Sequence, residues 1–265
     1  MAWVGVQSDA RGVAVVTIDN PTRLNTLDTR VMTDLITAIE RFGADETLRA
    51  VVLRGAGERA FIGGADIEEM AGLNPTTARD FITLVHRCCD GFRCLPVPVI
   101  ARIRGYVFGA GVEVAASCDM RVASTDAQFG MPEVRLGIPS VVEAALLPQL
   151  IGWGRTRQWL LTGDAIDATT AHAWGLIEEV VPAEQLDAAV EKLLDSILAS
   201  GPRAIRAQKA LITAWEDLPL RQAVQRGIDD FAMVWEADEP RRMMQDFLVR
   251  RRERKLAAGR TEKPQ

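Results

Sequence analysis

Residues 105–133 read GYVFGAGVEVAASCDMRVASTDAQFGMPE, and this stretch says most about the fold and the site. A turn of small residues, 109–111, precedes a predicted helix, and Glu113 lies just inside that helix. A helix N-terminus presents unpaired backbone N–H groups, and small residues let a ligand oxygen approach them closely. A carboxylate beside such a turn suits proton transfer next to a stabilised oxyanion. The stretch therefore predicts a reaction site, with Glu133 on the following loop as a second carboxylate.

A second turn of small residues lies upstream, in residues 60–70, which read AFIGGADIEEM. Together the two stretches resemble the oxyanion-hole segments of the crotonase (enoyl-CoA hydratase/isomerase) superfamily. The family patterns are roughly AFxxGADIxEM, then GxxxGGGxExxxxCDxxxA followed by FGxPEvxLGxxP. The second stretch departs in having Ala110 where glycine is usual. The resemblance extends to residues 18–27 and 202–209, so it covers nearly the whole chain in the family's order and spacing.

Hydrophobic patterning independently predicts alternating strands and helices, which is typical of a layered α/β architecture. Residues 12–18, for example, form a β-branched run, and apolar residues recur at helical spacing over 29–42. This periodicity does not distinguish a spiral from a doubly wound sheet. The resemblance does, because it implies a crotonase-like spiral of repeated ββα units.

Beyond residue 181 the pattern is helical throughout and resembles the family's trimerisation lobe. The sequence predicts helices over residues 184–198, 202–215, 218–235 and 240–254. We expect residues 1–195 to form the spiral core with the CoA-binding and active site, and residues 196–265 to form a C-terminal helical oligomerisation lobe. The resemblance implies a homotrimer or a dimer of trimers.

The composition is that of an ordinary globular protein, with 48% hydrophobic and 25% charged residues among 265. A net charge of −5 argues against nucleic acid or an anionic membrane surface as the main partner. The four cysteines show no zinc-ligand spacing with a histidine, so we expect no metal. The sequence shows neither a signal-peptide pattern nor an apolar run of about 20 residues. We expect a cytoplasmic protein.

The resemblance implies an enoyl-CoA hydratase that adds water reversibly, in syn geometry, to a trans-2-enoyl-CoA and forms the 3-hydroxyacyl-CoA. Backbone N–H groups of Ala65 and Ala110 would hold the thioester enolate oxygen. Glu113 would activate the water, and Glu133 would protonate the α-carbon. Two carboxyls in a partly apolar cleft can divide this work because burial and mutual repulsion raise at least one pKa. Coenzyme A enters as part of the substrate, with no metal or redox cofactor.

The substrate-binding residues are also predicted by motif position. Arg23 stands before the LNTL segment at residues 24–27, where it would meet the CoA phosphates unless it is a solvated surface residue. Backbone groups of the first turn would receive the adenine. The full set of predicted binding residues is Arg23, Asn25, Ala65, Asp66, Ile67, Gly109, Val141 and Glu143.

The main departure from the family pattern is residues 139–145, PSVVEAA, where hydratases usually carry a PGAGGT-like glycine run. Ser140-x-x-Glu143 reads as a capping box that opens a helix running to residue 151, and we favour this interpretation. The alternative places Glu143 in the pocket as an extra acid or base. Val141 and Val142 should narrow the acyl cavity under either interpretation.

Other functions stay open at this point. A Δ3,Δ2-enoyl-CoA isomerase or another crotonase-type lyase is the enzymatic alternative, and a catalytically silent acyl-CoA-binding or scaffold protein is the alternative from another class. A dinucleotide-binding enzyme is disfavoured because residues 109–114 lack the third small residue of that fingerprint. His86 and His172 accompany no G-x-S-x-G motif, and we interpret both as structural.

Overall fold

This computed structural model describes residues 3–261, with side chains described as far as Arg254. The strands are β1 (Val4–Ser8), β2 (Val13–Ile18), β3 (Ala50–Gly55), β4 (Ala60–Ile62), β5 (Val99–Ile103), β6 (Tyr106–Phe108), β7 (Met120–Ser124), β8 (Gln128–Gly130), β9 (Ala165–Asp167) and β10 (Glu179–Val181). The helices are α1 (Thr29–Gly43), α2 (Ile67–Met70), α3 (Pro75–Cys94), α4 (Ala110–Ala116), α5 (Leu147–Ile151), α6 (Trp153–Thr162), α7 (Ala168–Trp174), α8 (Leu186–Leu198), α9 (Pro202–Asp217), α10 (Leu220–Val234) and α11 (Glu239–Thr261).

The strands form two sheets, and the chain passes repeatedly from one sheet to the other. The six-stranded sheet has the order β1-β2-β3-β5-β7-β10 and the four-stranded sheet has the order β4-β6-β8-β9. Only β1 and β9 run antiparallel to their neighbours among these strands. The consecutive pairs β3–β4, β5–β6 and β7–β8 each place one strand in each sheet. Because helices follow the first two pairs, the winding is a spiral of ββα units, as the family resemblance implies.

The core lies where the β-branched strands of the larger sheet meet α1 and α3. The β2 run VAVVTI alternates buried with half-buried positions, and the apolar stripe of α1 is buried. Asp28 caps α1 by accepting a hydrogen bond from the N–H of Val31. Gly91 of α3 lets the two helices approach, since a Cβ there would lie 3.0 Å from Ile39 Cγ2.

The start of α3 is fixed by a capping box in its first turn. The capping residue is Asn74, whose Oδ1 accepts hydrogen bonds from the N–H groups of Thr76 and Thr77. Thr77 completes the box because its hydroxyl accepts from the Asn74 N–H. Pro75 at the first helical position favours this start, since its fixed φ suits a helix and it has no N–H to satisfy.

The chain divides into two compact units, one ending at Ile197 and the other beginning at Leu198. In the second unit α9 packs against α10. The Glu239 carboxylate accepts hydrogen bonds from the N–H groups of Arg203 and Ala204 at the start of α9. No helix within residues 3–261 is both long and apolar enough to cross a bilayer.

Candidate active site

The site is built on the two turns of small residues, which lie at the same edge of the smaller sheet. They follow β4 and β6, which pair in parallel, so the turns are neighbours in space. A Cβ on Gly64 would lie 3.1 Å from the carbonyl oxygen of Phe108. A Cβ on Gly111 would lie 2.2 Å from the carbonyl oxygen of Ile62. Glycine at these positions therefore allows the close approach of the two backbones.

Ala65 and Ala110 present two backbone N–H groups to the site. Both residues line one cavity, and neither N–H donates a hydrogen bond within the part of the chain that the structure describes. Ala110 is the first residue of α4, while the positive φ of 51° falls on Gly109. Alanine can therefore stand at position 110, where the family pattern has glycine, without strain.

The cavity has a volume of about 710 Å³ and carries two carboxyl groups in a largely apolar wall. Glu113 and Glu133 contribute the carboxyls, and Arg79 is the one basic residue among the described lining residues. The apolar wall is formed by residues of α2, α3 and the segment after Glu133, including Met70, Leu73, Phe81, Ile82, Val85, Leu136, Ile138 and Val141. Such a wall suits an apolar acyl chain whose reacting end lies at the carboxyls.

Glu133 is fixed beside the start of α4. Its Oε1 would lie 2.4 Å from a Cβ placed on Gly109, so only glycine leaves room for the carboxyl there. Its Oε2 accepts a hydrogen bond of 2.9 Å from the Ser140 hydroxyl. Because Glu113 lies in the first turn of α4, the two carboxyls converge on the turn that presents the Ala110 N–H.

The environment keeps a proton on this pair of carboxyls at neutral pH. Glu113 is only 4% exposed, and its burial raises its pKa to about 8. The charges of Glu133 and Glu143 act in the same direction, while the N–H groups of Ala144 and Val141 partly oppose them. Burial also raises the pKa of Glu133, against the hydrogen bond from Ser140. The two carboxyls titrate as a pair, so one can act as acid while the other acts as base.

The capping box that the sequence predicted at Ser140 and Glu143 is wrong. The helical turn over Val142–Leu146 is a 3-10 helix whose N-cap is Val141, one residue later than the box requires, and no side chain caps it. The Ser140 hydroxyl instead donates to Glu133. Glu143 Oε1 lies 2.6 Å from Nδ1 of His86, which sequence reasoning did not connect with the site.

Four of the predicted binding residues do not line the cavity: Arg23, Asn25, Asp66 and Glu143. Asn25 is fully buried, and its amide donates to the carbonyls of Ala56 and Ala60 and so supports the chain around β4. Arg23 forms ion pairs with Asp66 at 3.1 Å and with Glu68 at 2.6 Å. A contact between Arg23 and CoA phosphates stays a prediction.

The other predicted residues are brought together. Ala65, Ile67, Gly109, Ala110, Glu113, Glu133 and Val141 all line the cavity. Val142 instead packs against the hydrophobic core, so of the two valines only Val141 narrows the cavity. Among the described side chains, no group of three or more His, Cys, Asp or Glu residues is arranged to hold a metal ion.

A spiral of ββα units places two free N–H donors beside one buried and one half-buried carboxyl, and this arrangement defines a class of enzyme that stabilises an oxyanion next to a proton transfer. The family model described as enoyl-CoA hydratase/isomerase matches residues 8–255. The chain belongs to this family.

Individual relatives agree with the family assignment. The chain is 33% identical to the short-chain-enoyl-CoA hydratase of Clostridium acetobutylicum over 91% of this chain and 92% of that relative. It is 32% identical to the crotonyl-CoA hydratase of Syntrophomonas wolfei over 91% of this chain and 93% of that relative. The crystal structure of enoyl-CoA hydratase from Bacillus anthracis matches with a TM-score of 0.90 at 29% identity, covering 94% of this chain and 96% of that one. These matches confirm the predicted crotonase-like fold class.

Proposed function

We propose that this protein is an enoyl-CoA hydratase, which adds water reversibly to a trans-2-enoyl-CoA to give the 3-hydroxyacyl-CoA. The observation that carries the proposal is the convergence of Glu113 and Glu133 on one cavity with the N–H groups of Ala65 and Ala110. The names of the two relatives described above, a short-chain and a crotonyl-CoA hydratase, support it.

In the proposed mechanism the two N–H groups hold the thioester carbonyl oxygen. In the reactive form the proton that the pair shares is on Glu133, which leaves Glu113 ionised. Glu113 takes a proton from a water molecule as the water oxygen bonds to the β-carbon, and the electron pair of the double bond moves onto the thioester as an enolate. Donors aimed at that developing oxyanion stabilise the transition state, and losing one costs roughly 3–4 kcal/mol. Glu133 then gives its proton to the α-carbon, and the proton on Glu113 passes back to Glu133 for the next cycle.

The pair of carboxyls also explains why hydration is preferred over isomerisation. Moving a double bond requires one proton to leave one carbon and return to another, which a single acid/base group can perform. Adding water requires a base at the water and an acid at the α-carbon on one face of the substrate. The structure provides two carboxyls in one cavity.

The first prediction is that the purified protein hydrates crotonyl-CoA. The measurement is the loss of enoyl-thioester absorbance, and the product should be the 3-hydroxyacyl-CoA. A 3-enoyl thioester supplied in parallel tests the isomerase alternative, because an isomerase would generate the conjugated absorbance. Binding of crotonyl-CoA without turnover of either substrate would support a silent binding protein and contradict the proposal.

We also propose that the second unit mediates self-association as a homotrimer or a dimer of trimers. Its helices expose large apolar side chains, with Phe231 65% exposed and Phe247 61% exposed. An apolar groove of about 490 Å³ lies between α9, α10 and α11. Contiguous apolar surface of this kind is typical of an interface rather than of a monomer's surface.

The second prediction is that static light scattering at micromolar concentration gives the mass of a trimer or hexamer. Phe231→Ser, which removes an exposed apolar side chain, should shift the mass distribution toward smaller species. Thr83→Ser, an exposed change on α3 of the first unit, serves as the control and should leave the mass unchanged. A monomeric wild-type protein would refute the assembly.

A further inference from the structure

Glu143 is a buried carboxyl that the proposed mechanism does not use. It is 6% exposed and does not line the cavity. Its Oε1 contacts His86, while its Oε2 is buried and has no hydrogen-bond partner within the described part of the chain. Leaving a buried polar atom unpaired is unfavourable, because the atom loses its hydrogen bonds to water. A carboxyl kept at that cost requires an explanation in function or in packing.

The 3-10 turn that carries Glu143 lies beside Glu113. Val141, two residues before Glu143, lines the same cavity as Glu113, and the N–H of Ala144 donates to the carbonyl of Val141 within the turn. The turn packs against both α3 and α4. Glu143 therefore lies between His86 on α3 and Glu113 on α4.

The backbone of this turn is strained. Val142 has a φ of 40°, which is unfavourable for a β-branched side chain. Residues held in such strained conformations cluster at functional sites. The strain lies in the turn that packs against α4, the helix that carries Glu113.

The ionisable groups around Glu143 come from two of the three helices packed against the turn. From α3 they are His86, Cys88 and Cys89, and from α4 the group is Glu113. Burial raises the pKa of Cys88 to about 12 and that of Cys89 well above its usual value, so both thiols stay neutral at working pH. The sequence of α5, LPQLI, contributes no charge. Arg87, the next residue on α3, pairs with Glu40 on the surface.

We propose that Glu143, held by His86, is a positioning residue that keeps the last proton on the Glu113–Glu133 pair at the pH where the enzyme works. The proposal rests on the hydratase function. A negative charge behind Glu113 disfavours a second negative charge in the cavity. His86 fixes the carboxyl from the solvent side, because its own side chain is 49% exposed. Glu143 acts through Glu113 and does not touch the substrate.

The test is the pH dependence of kcat/KM for crotonyl-CoA, whose alkaline limb reports loss of the proton from the free enzyme's carboxyl pair. Glu143→Gln removes the negative charge and keeps the side chain's size. His86→Lys places a permanent cation next to Glu143. Both variants should move the alkaline limb to lower pH, by about 0.5–1.5 pH units, because each changes one charge next to the carboxyl pair. Asp80→Asn on α3 is the matched control, since it removes an exposed carboxylate and should leave the limb in place.

The outcomes separate the positioning role from a structural one. Circular dichroism melting curves first establish that each variant is folded. If Glu143→Gln does not fold, His86→Lys provides the test instead, because the His86 side chain is half-exposed and tolerates substitution better. An alkaline limb at the wild-type pH in a folded, active variant overturns the proposal, and so does loss of activity at every pH. A wild-type protein that fails to hydrate crotonyl-CoA refutes the proposed function instead, before the pair is tested.

Discussion

Replacing either Glu113 or Glu133 with glutamine is expected to slow hydration of crotonyl-CoA by roughly 10²–10⁴-fold, the range for removal of a general acid or base. Glutamine keeps the size of the side chain and can still accept a hydrogen bond, so the cavity should keep its shape. The loss should fall mainly on kcat, because neither carboxyl is needed to bind the CoA moiety. Glu68→Gln, which alters an exposed carboxylate outside the cavity, is the control and should retain activity.

A second measurement separates the roles of the two carboxyls. Butyryl-CoA has an α-carbon but no double bond, so exchange of its α-protons in heavy water requires only the enolate site and the group facing that carbon. Glu133→Gln should abolish this exchange, whereas Glu113→Gln should retain much of it. The opposite pattern would exchange the two assigned roles. Near wild-type hydration by both variants would show that neither residue is catalytic.

The elements that the sequence predicts well are those whose signal is local. The β-branched runs of β2 and β5 and the apolar stripe of α1 are each sufficient to define an element. The three-residue strands β4 and β6 cannot be predicted from hydrophobic periodicity because they are too short to show an alternation. They exist because each pairs with a strand that is distant in sequence.

The candidate site likewise contains residues that local motifs predict and contacts that arise only when the chain folds. Both turns and both glutamates lie in continuous motifs, so Ala65, Ala110, Glu113 and Glu133 could be predicted. The capping prediction at Ser140 failed because the pattern assumes an α-helix with ordinary backbone angles, while Val142 has a positive φ and the turn is a 3-10 helix. The His86–Glu143 contact joins residues 57 positions apart through the packing of α3 against that turn.

The protonation of Glu113 also predicts how the stability of the fold changes with pH. Its pKa is raised to about 8 in the folded protein, whereas the pKa of a glutamate in the unfolded chain lies near its ordinary value of about 4.3. The folded state therefore binds more protons between these values, and this group's contribution to stability is fully present at low pH. It is lost as pH rises through the folded-state pKa, because ionisation is easier in the unfolded chain.

Glu113→Gln should accordingly be more stable than the wild type at pH 9, by on the order of 3–5 kcal/mol, and should show little advantage at pH 4. The neutral amide has no charge to desolvate and keeps the size of the carboxyl side chain. Urea unfolding across this pH range measures the difference, and Glu184→Gln, which changes an exposed glutamate, is the control. A Glu113→Gln variant whose stability follows that of the wild type from pH 4 to pH 9 would show that the carboxyl is not held neutral by burial. A variant that gains stability while losing turnover would show that the fold gives up stability to keep an ionisable group in the cavity.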